Sequence, residues 1–199
     1  MNPPPVVGVL ALQGAVAEHQ RALHHSGAQT RLVRRVAELD GLDGLVVPGG
    51  ESTAIARLAA PAHLMPAIRR KHEQGMALFG TCAGLILLAE EVSDAEALQG
   101  FDRIGGLEVQ VRRNAYGTQL NSFEDQLAVR GLDSPLPAVF IRAPVVEDVC
   151  ADHVEVLART HGQPAVVRQG NILAASFHPE LTQDTRLHEL FLEMVTHQA

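Results

Sequence analysis

The chain has 199 residues, 46% of them hydrophobic, which suits one sizeable α/β domain over 1–199. Its formal net charge of -7 argues against a nucleic-acid partner or an acidic membrane surface. No apolar run reaches the roughly 20 residues of a membrane helix. The opening Met1-Asn2-Pro3-Pro4-Pro5 lacks the basic and apolar segments of a signal peptide. Two cysteines, Cys82 and Cys150, are too few for a disulfide framework, and a reducing cytoplasm is the simplest setting for them. The cysteine and histidine spacings do not resemble a zinc site, so no metal is expected.

In chain order, Val6 to Leu12 is a continuous apolar run, as in a strand buried on both faces. Gln13-Gly14 makes a turn, and Ala15 to His25 reads as a helix with Val16, Ala22 and Leu23 on one face. Gly27 suits the left-handed position that ends it. Strands are expected at Thr30 to Val33 and Leu45 to Val47, the latter running into Pro48-Gly49-Gly50-Glu51-Ser52-Thr53. A helical turn over Ala54 to Ala59 and a helix from Pro61 or Pro66 to Glu73 follow. The apolar run Met76 to Phe79 then meets Gly80-Thr81-Cys82-Ala83-Gly84, and Leu85 to Ala89 reads as a helix. This alternation implies a parallel sheet covered by helices on both sides.

After about Gly100 the pattern changes. Leu107 to Val111 alternates with period two, as a half-exposed strand does. Val139 to Arg142 and Val154 to Ala158 are further short strands, and Ala165 to Phe177 resembles a hairpin. From about Thr185, Leu187, Leu190, Phe191, Met194 and Val195 fall on one stripe of a closing helix. No repeat, low-complexity segment or linker divides the chain.

Three stretches carry chemistry. A cysteine between a strand and a helix occupies the elbow of hydrolases built on parallel sheets. The helix start aims free N–H groups and its positive dipole end at the thiol, favouring the reactive thiolate. Read without that context, Cys82 is a small buried hydrophobe. The second stretch is Phe177-His178-Pro179-Glu180. Proline keeps His178 extended, and residues two apart in an extended chain share a side, so His178 and Glu180 form a base with its orienting carboxylate. Alone, the same motif reads as a surface histidine in a proline turn. The third is the paired-glycine loop, whose amides can approach a developing oxyanion; its other reading is an ordinary turn with Ser52 as a helix N-cap. A phosphate loop does not fit, because the Walker pattern and its lysine are absent. All three stretches end strands, and ligands of open parallel sheets gather at that edge. Cys150 follows Val145 to Val149 with no turn glycine and no helix after it, and reads as buried or incidental.

Gly80-Thr81-Cys82-Ala83-Gly84 with a distant Phe177-His178-Pro179-Glu180 resembles the class I glutamine amidotransferases. More narrowly, Val9 to Gly14 with Glu18-His19, Pro48 to Thr53, Arg113-Asn114-Ala115-Tyr116-Gly117, Ser122-Phe123-Glu124, Phe140 to Pro144 and His178 to Thr182 resemble the glutaminase subunits of pyridoxal 5′-phosphate synthases. Tyr116, Thr118 and Asn121 depart from the family's usual phenylalanine, arginine and aspartate, and the three-proline lead is unusual.

The resemblance implies a three-layer α/β/α, flavodoxin-like fold with a mostly parallel sheet and some antiparallel additions. It implies hydrolysis of glutamine to glutamate and ammonia with no cofactor. Cys82 would be the nucleophile, His178 the acid and base, and Glu180 its orienter. Backbone amides near Gly50 and Ala83 would form the oxyanion hole. Gly50, Glu51, Ser52, Arg113, Ile141 and Arg142 match the family's glutamine-contacting positions. The ammonia would pass to a (β/α)₈-barrel synthase subunit, which Gln13 and Gly14 are expected to face. Two alternatives stay open: another cysteine hydrolase on a similar sheet, such as a peptidase or deglycase-like protein, and a binding module without turnover.

Overall fold

A computed structural model describes residues 3–113 and 122–197. Asn114 to Gly117, Thr118 and Asn121 lie outside the described residues. The first half alternates as the apolar runs require: β1 (Val6–Leu10), α1 (Val16–His25), β2 (Gln29–Val33), β3 (Gly44–Val47), α2 (Ser52–Ala59), α3 (Leu64–Glu73), β4 (Ala77–Thr81) and α4 (Ala83–Leu88). The second half is mostly strand: β5 (Ala89–Val92), β6 (Leu107–Arg112), β7 (Ser122–Leu127), β8 (Leu136–Ile141), β9 (Val145–Val149), β10 (Glu155–Thr160), β11 (Gln163–Gln169) and β12 (Ile172–Ala175). Helix α5 (Arg186–Thr196) closes the chain.

The main sheet has the order β10-β11-β12-β4-β3-β1-β2. β12, β4, β3, β1 and β2 run parallel, and β11 joins β12 as the antiparallel hairpin read from the sequence, with Val166 opposite Ala175. Successive residues of each buried strand point to opposite faces. Leu45, Val47 and Leu78 therefore pack with Ile55, Met65 and Ile68 of α2 and α3 on one face. Val9, Val46 and Phe79 pack with Leu23 of α1 and Phe191 of α5 on the other. This is the expected mostly parallel α/β sheet with helices on both sides.

Two small sheets escape the sequence patterns. β5-β6-β9 forms one and the antiparallel pair β7-β8 the other. The apolar run after Cys82 stays helical only to Leu88, because Ala89–Val92 pairs with β6 as β5. Ser-Phe-Glu-Asp-Gln-Leu of β7 has little apolar signal of its own and owes its strand to pairing with β8.

The topology places four strand ends side by side. β4 lies between β12 and β3, and β1 follows β3. Their carboxyl ends lead into Cys82, the His178 segment, the paired-glycine loop and Gln13, so stretches far apart in sequence open onto one edge.

Candidate active site

The turn from β4 into α4 is built by glycines and one strained residue. A Cβ on Gly80 would sit 2.7 Å from the backbone of Gly84, and one on Gly84 would sit 2.0 Å from the carbonyl oxygen of Val47. Bare backbone at 80 and 84 thus lets the short helix lie directly on β4 and β3. Between them Cys82 takes φ 50° and ψ -104°. Such a backbone costs about 1–3 kcal/mol for a residue with a side chain and persists where its surroundings enforce it. Here its N–H donates to Ala175 O of the neighbouring strand at 2.9 Å. The thiol is thereby lifted off the sheet at the start of α4, and Cys82 is 6% exposed.

His178 and Glu180 meet beside it. His178 Nδ1 lies 2.7 Å from Glu180 Oε1, leaving Nε2 as the ring nitrogen for another partner. The Cys82 thiol donates to Ile141 O at 4.0 Å, and its sulfur stands close enough to the ring to raise the proton affinity of His178. The peptide of His178 is pinned by its N–H donating to Val139 O of β8 at 2.8 Å. One local expectation needs correction. The pair does not share the side of an extended strand; Pro179 starts a 3₁₀ turn over Pro179–Leu181 that swings Glu180 back under the ring. Burial alone would lower the imidazole, but the Cys82 sulfur and the bonded Glu180 carboxylate outweigh it and raise His178 to about 10. The geometry therefore favours a charged ring beside sulfur. A Cβ on Gly49 would lie 2.4 Å from His178 Cε1 and 3.3 Å from Cys82 Cβ, so only glycine leaves room where the two converge.

A cavity of about 410 Å³ opens over this group. Gly50, Glu51, Ser52, Cys82, Ala83, Arg113, Ile141, Arg142 and His178 all line it, so the structure brings together every predicted site residue except Glu180, which stands behind His178. The N-cap is not Ser52, as the ordinary-turn reading of this loop has it, but Glu51. Its Oε1 and Oε2 accept from Thr53 and Ala54 N–H at 2.9 and 2.7 Å, and Ser52 is the first helical residue. Burial opposes the charge of Glu51, but these donors and Arg113 hold its carboxyl below the usual range. Arg113 reaches Glu51 Oε1 and Thr53 Oγ1 through one terminal nitrogen, at 3.3 and 3.1 Å. Its buried Nε has no partner among the described residues. Gly49 O accepts from Ala15 N–H at 3.1 Å, so the planar trans peptide turns the Gly50 N–H the opposite way. Gln13 closes the loop from above, accepting from Glu51 N–H at 2.6 Å.

Sequence reasoning gave no role to Thr81, His19 and His188, although Thr81 and His19 stand in the motifs that carry the resemblance; all three lie buried beneath the site. The two histidines also interrupt apolar stripes, His19 four residues before Leu23 and His188 three before Phe191. Cys150, read as buried or incidental, is exposed; local desolvation, then the carboxylates of Glu91 and Asp148, push its thiol up. Both cysteines are free, and no group of three or more metal-ligating side chains occurs among the described residues. A thiol, a ring beside it, a carboxylate behind the ring and a glycine loop together can perform acyl transfer through a thioester.

Residues 9–197 match the model of the SNO glutamine amidotransferase family. The chain is 56% identical over 192 residues to the "Pyridoxal 5′-phosphate synthase subunit PdxT" of Parafrankia sp., covering 96% of this chain and 93% of that one. It is 52% identical over 193 residues to the protein of the same name from Mycolicibacterium vanbaalenii, covering 94% and 96%. A crystal structure described as a glutamine amidotransferase superposes with a TM-score of 0.89 at 50% identity, covering 96% of this chain and 98% of that one.

Proposed function

The chain belongs to the SNO glutamine amidotransferase family, and from that premise we propose that it is the glutaminase subunit of a pyridoxal 5′-phosphate synthase, folded as a single domain over 1–199. It hydrolyses L-glutamine to L-glutamate and ammonia. The observation that carries the reading is His178, bonded to Glu180 and converging with Cys82 at Gly49, on the cavity that Gly50, Glu51, Ser52, Arg113, Ile141 and Arg142 also line.

The Cys82 thiolate attacks the side-chain amide carbon of glutamine. The N–H groups of Gly50 and Ala83 receive the oxyanion, each such donor being worth about 2.7–4 kcal/mol in measured cases. His178, charged by the thiol proton, gives that proton to the departing ammonia. The ring then takes a proton from water as the hydroxide adds to the thioester, and collapse returns the thiol and releases glutamate. Glu180 holds Nδ1 of the ring throughout, fixing the direction of Nε2. Arg113 and Arg142 receive the amino acid's carboxylate, a task suited to the guanidinium fork. The unpartnered Nε of Arg113 supports this assignment.

Ammonia passes to a (β/α)₈-barrel synthase subunit in the cytoplasm. Exposed Ile141 and Leu181 border the cavity, as an edge covered by a partner would. Gln13 and Gly14, at the same edge, face that subunit. Ammonia release should rise when the synthase subunit is added, and the amides of the Gln13 loop should exchange more slowly. Unchanged turnover and unchanged exchange on mixing would refute the docking.

The raised proton affinity of His178 sets a pH expectation. The charged ring is kept until pH approaches about 10, so the alkaline limb of kcat/KM should lie well above the ordinary histidine value of about 6.5. Glu180→Gln removes an anion that favours the charged ring, so the limb should move down toward neutral pH. A limb at the same pH in both enzymes would show that Glu180 does not act on His178.

A further inference from the structure

Beneath the triad lie three buried polar side chains to which the hydrolysis assigns no task. His19 of α1, His188 of α5 and Thr81 of β4 are each 0% exposed. His19 Nδ1 is 2.9 Å from His188 Nε2. Its Nε2 is 3.0 Å from Thr81 Oγ1 and 3.5 Å from Glu180 Oε2. Thr81 Oγ1 also accepts from Gly49 N–H at 3.1 Å. Among the described residues, Glu180 Oε2 and His188 Nδ1 are left without a hydrogen bond.

These positions select one arrangement of protons. Burial keeps both rings neutral: it lowers His188 to about 4, and it lowers His19 well below the ordinary value, with His188 and then His178 adding to the effect. The 3.5 Å approach of His19 to Glu180 is therefore a neutral N–H facing a carboxylate and not an ion pair. Were the His19 proton on Nδ1, its Nε2 lone pair would face a buried carboxylate oxygen. His188 would in turn keep an orphaned N–H, and buried orphan donors are rare. With the proton on Nε2 of both rings, His188 donates to His19, and His19 donates toward Thr81 and Glu180. His188 Nδ1 then keeps a lone pair and not an orphaned N–H.

We propose that His19 is a positioning residue whose Nε2–H, set in that tautomer by His188, holds the second oxygen of Glu180 and, through Thr81, the Gly49 peptide. One buried ring thereby links the carboxylate behind the base to the loop of the oxyanion hole. Its contact with Oε2 is long in the resting state; contacts of this kind tighten as charge develops in the reacting complex. The inference rests on the glutaminase reading, and its test keeps the two apart.

The test combines spectroscopy with kinetics. Long-range proton–nitrogen spectra of the histidine rings should show both His19 and His188 neutral, with the proton on Nε2. Glutamine hydrolysis with the synthase subunit present should fall about 10- to 100-fold in kcat for His19→Leu, the worth of one hydrogen bond to a charged group. KM should change by less than about twofold, since the ring does not touch substrate. His19→Gln, whose amide N–H reaches the place of Nε2, should restore most of the loss. A proton on Nδ1 of His19, or a kcat for His19→Leu within about twofold of wild type, would overturn the inference. Should His19→Leu fail to fold, the tautomer in the wild-type protein decides alone. Wild-type protein that releases no ammonia with the synthase would instead defeat the glutaminase reading.

Discussion

Cys82→Ala is expected to lose glutaminase activity by about 10⁴- to 10⁶-fold while keeping its fold, the range seen when a nucleophile is removed from a triad acting as a unit. The substitution deletes one sulfur from a residue that is 6% exposed. The strained backbone at 82 is held by the bond to Ala175 and by Ile86 N–H donating to Cys82 O at 3.4 Å, and neither needs the thiol. No second thiol can substitute. Cys150 lies exposed at the end of β9, and its thiol is pushed up by local desolvation and by the nearby carboxylates. Steady-state ammonia release with the synthase subunit measures the effect. A rate within about tenfold of wild type would remove Cys82 from the chemistry.

Gly84→Ala is expected to be among the most damaging single methyl groups near the site. The added Cβ would lie 2.0 Å from Val47 O and 2.9 Å from Val47 C. Neither neighbour is a side chain that can rotate away, so α4 must lift from β3 or the strand must yield. Overpacking typically costs about 1–3 kcal/mol, and a clash with main chain belongs at or above the upper end. For a chain of this size that lowers the melting temperature by about 6–12 °C. The Ala83 amide moves with the helix, so kcat should fall as well. Thermal unfolding of the two proteins decides it; equal melting temperatures would show that the close packing of α4 on β3 is not needed.

Much of this was legible because the relevant signals are local. A β-strand buried on both faces announces itself as an unbroken apolar run, as in β1 and β3. A cysteine framed by Gly80 and Gly84 announces a tight strand-to-helix turn. Adjacent strand ends then gather the thiol, the ring and the glycine loop without further information. Features that depend on pairing were less visible. β7 carries Glu124, Asp125 and Gln126 in mid-strand and becomes a strand only against β8. The cap at Glu51 could not be separated from Ser52 by residue type alone, since both side chains can accept from helix N–H groups. Pro179 could be read as holding His178 extended, but the 3₁₀ turn it starts depends on the packing around Glu180. His19 and His188 fall within apolar stripes, where a histidine looks like ordinary core until its 2.9 Å contact across two helices is known.

The most direct test of the central claim is to catch the acyl-enzyme. Glutamine is mixed with the protein and its synthase subunit, the reaction is quenched in acid, and the peptides are mapped by mass spectrometry. A glutamyl thioester on Cys82, absent from Cys82→Ala and never found on Cys150, is the expected result. Ammonia release with no adduct at Cys82, or with the adduct at Cys150, would contradict it.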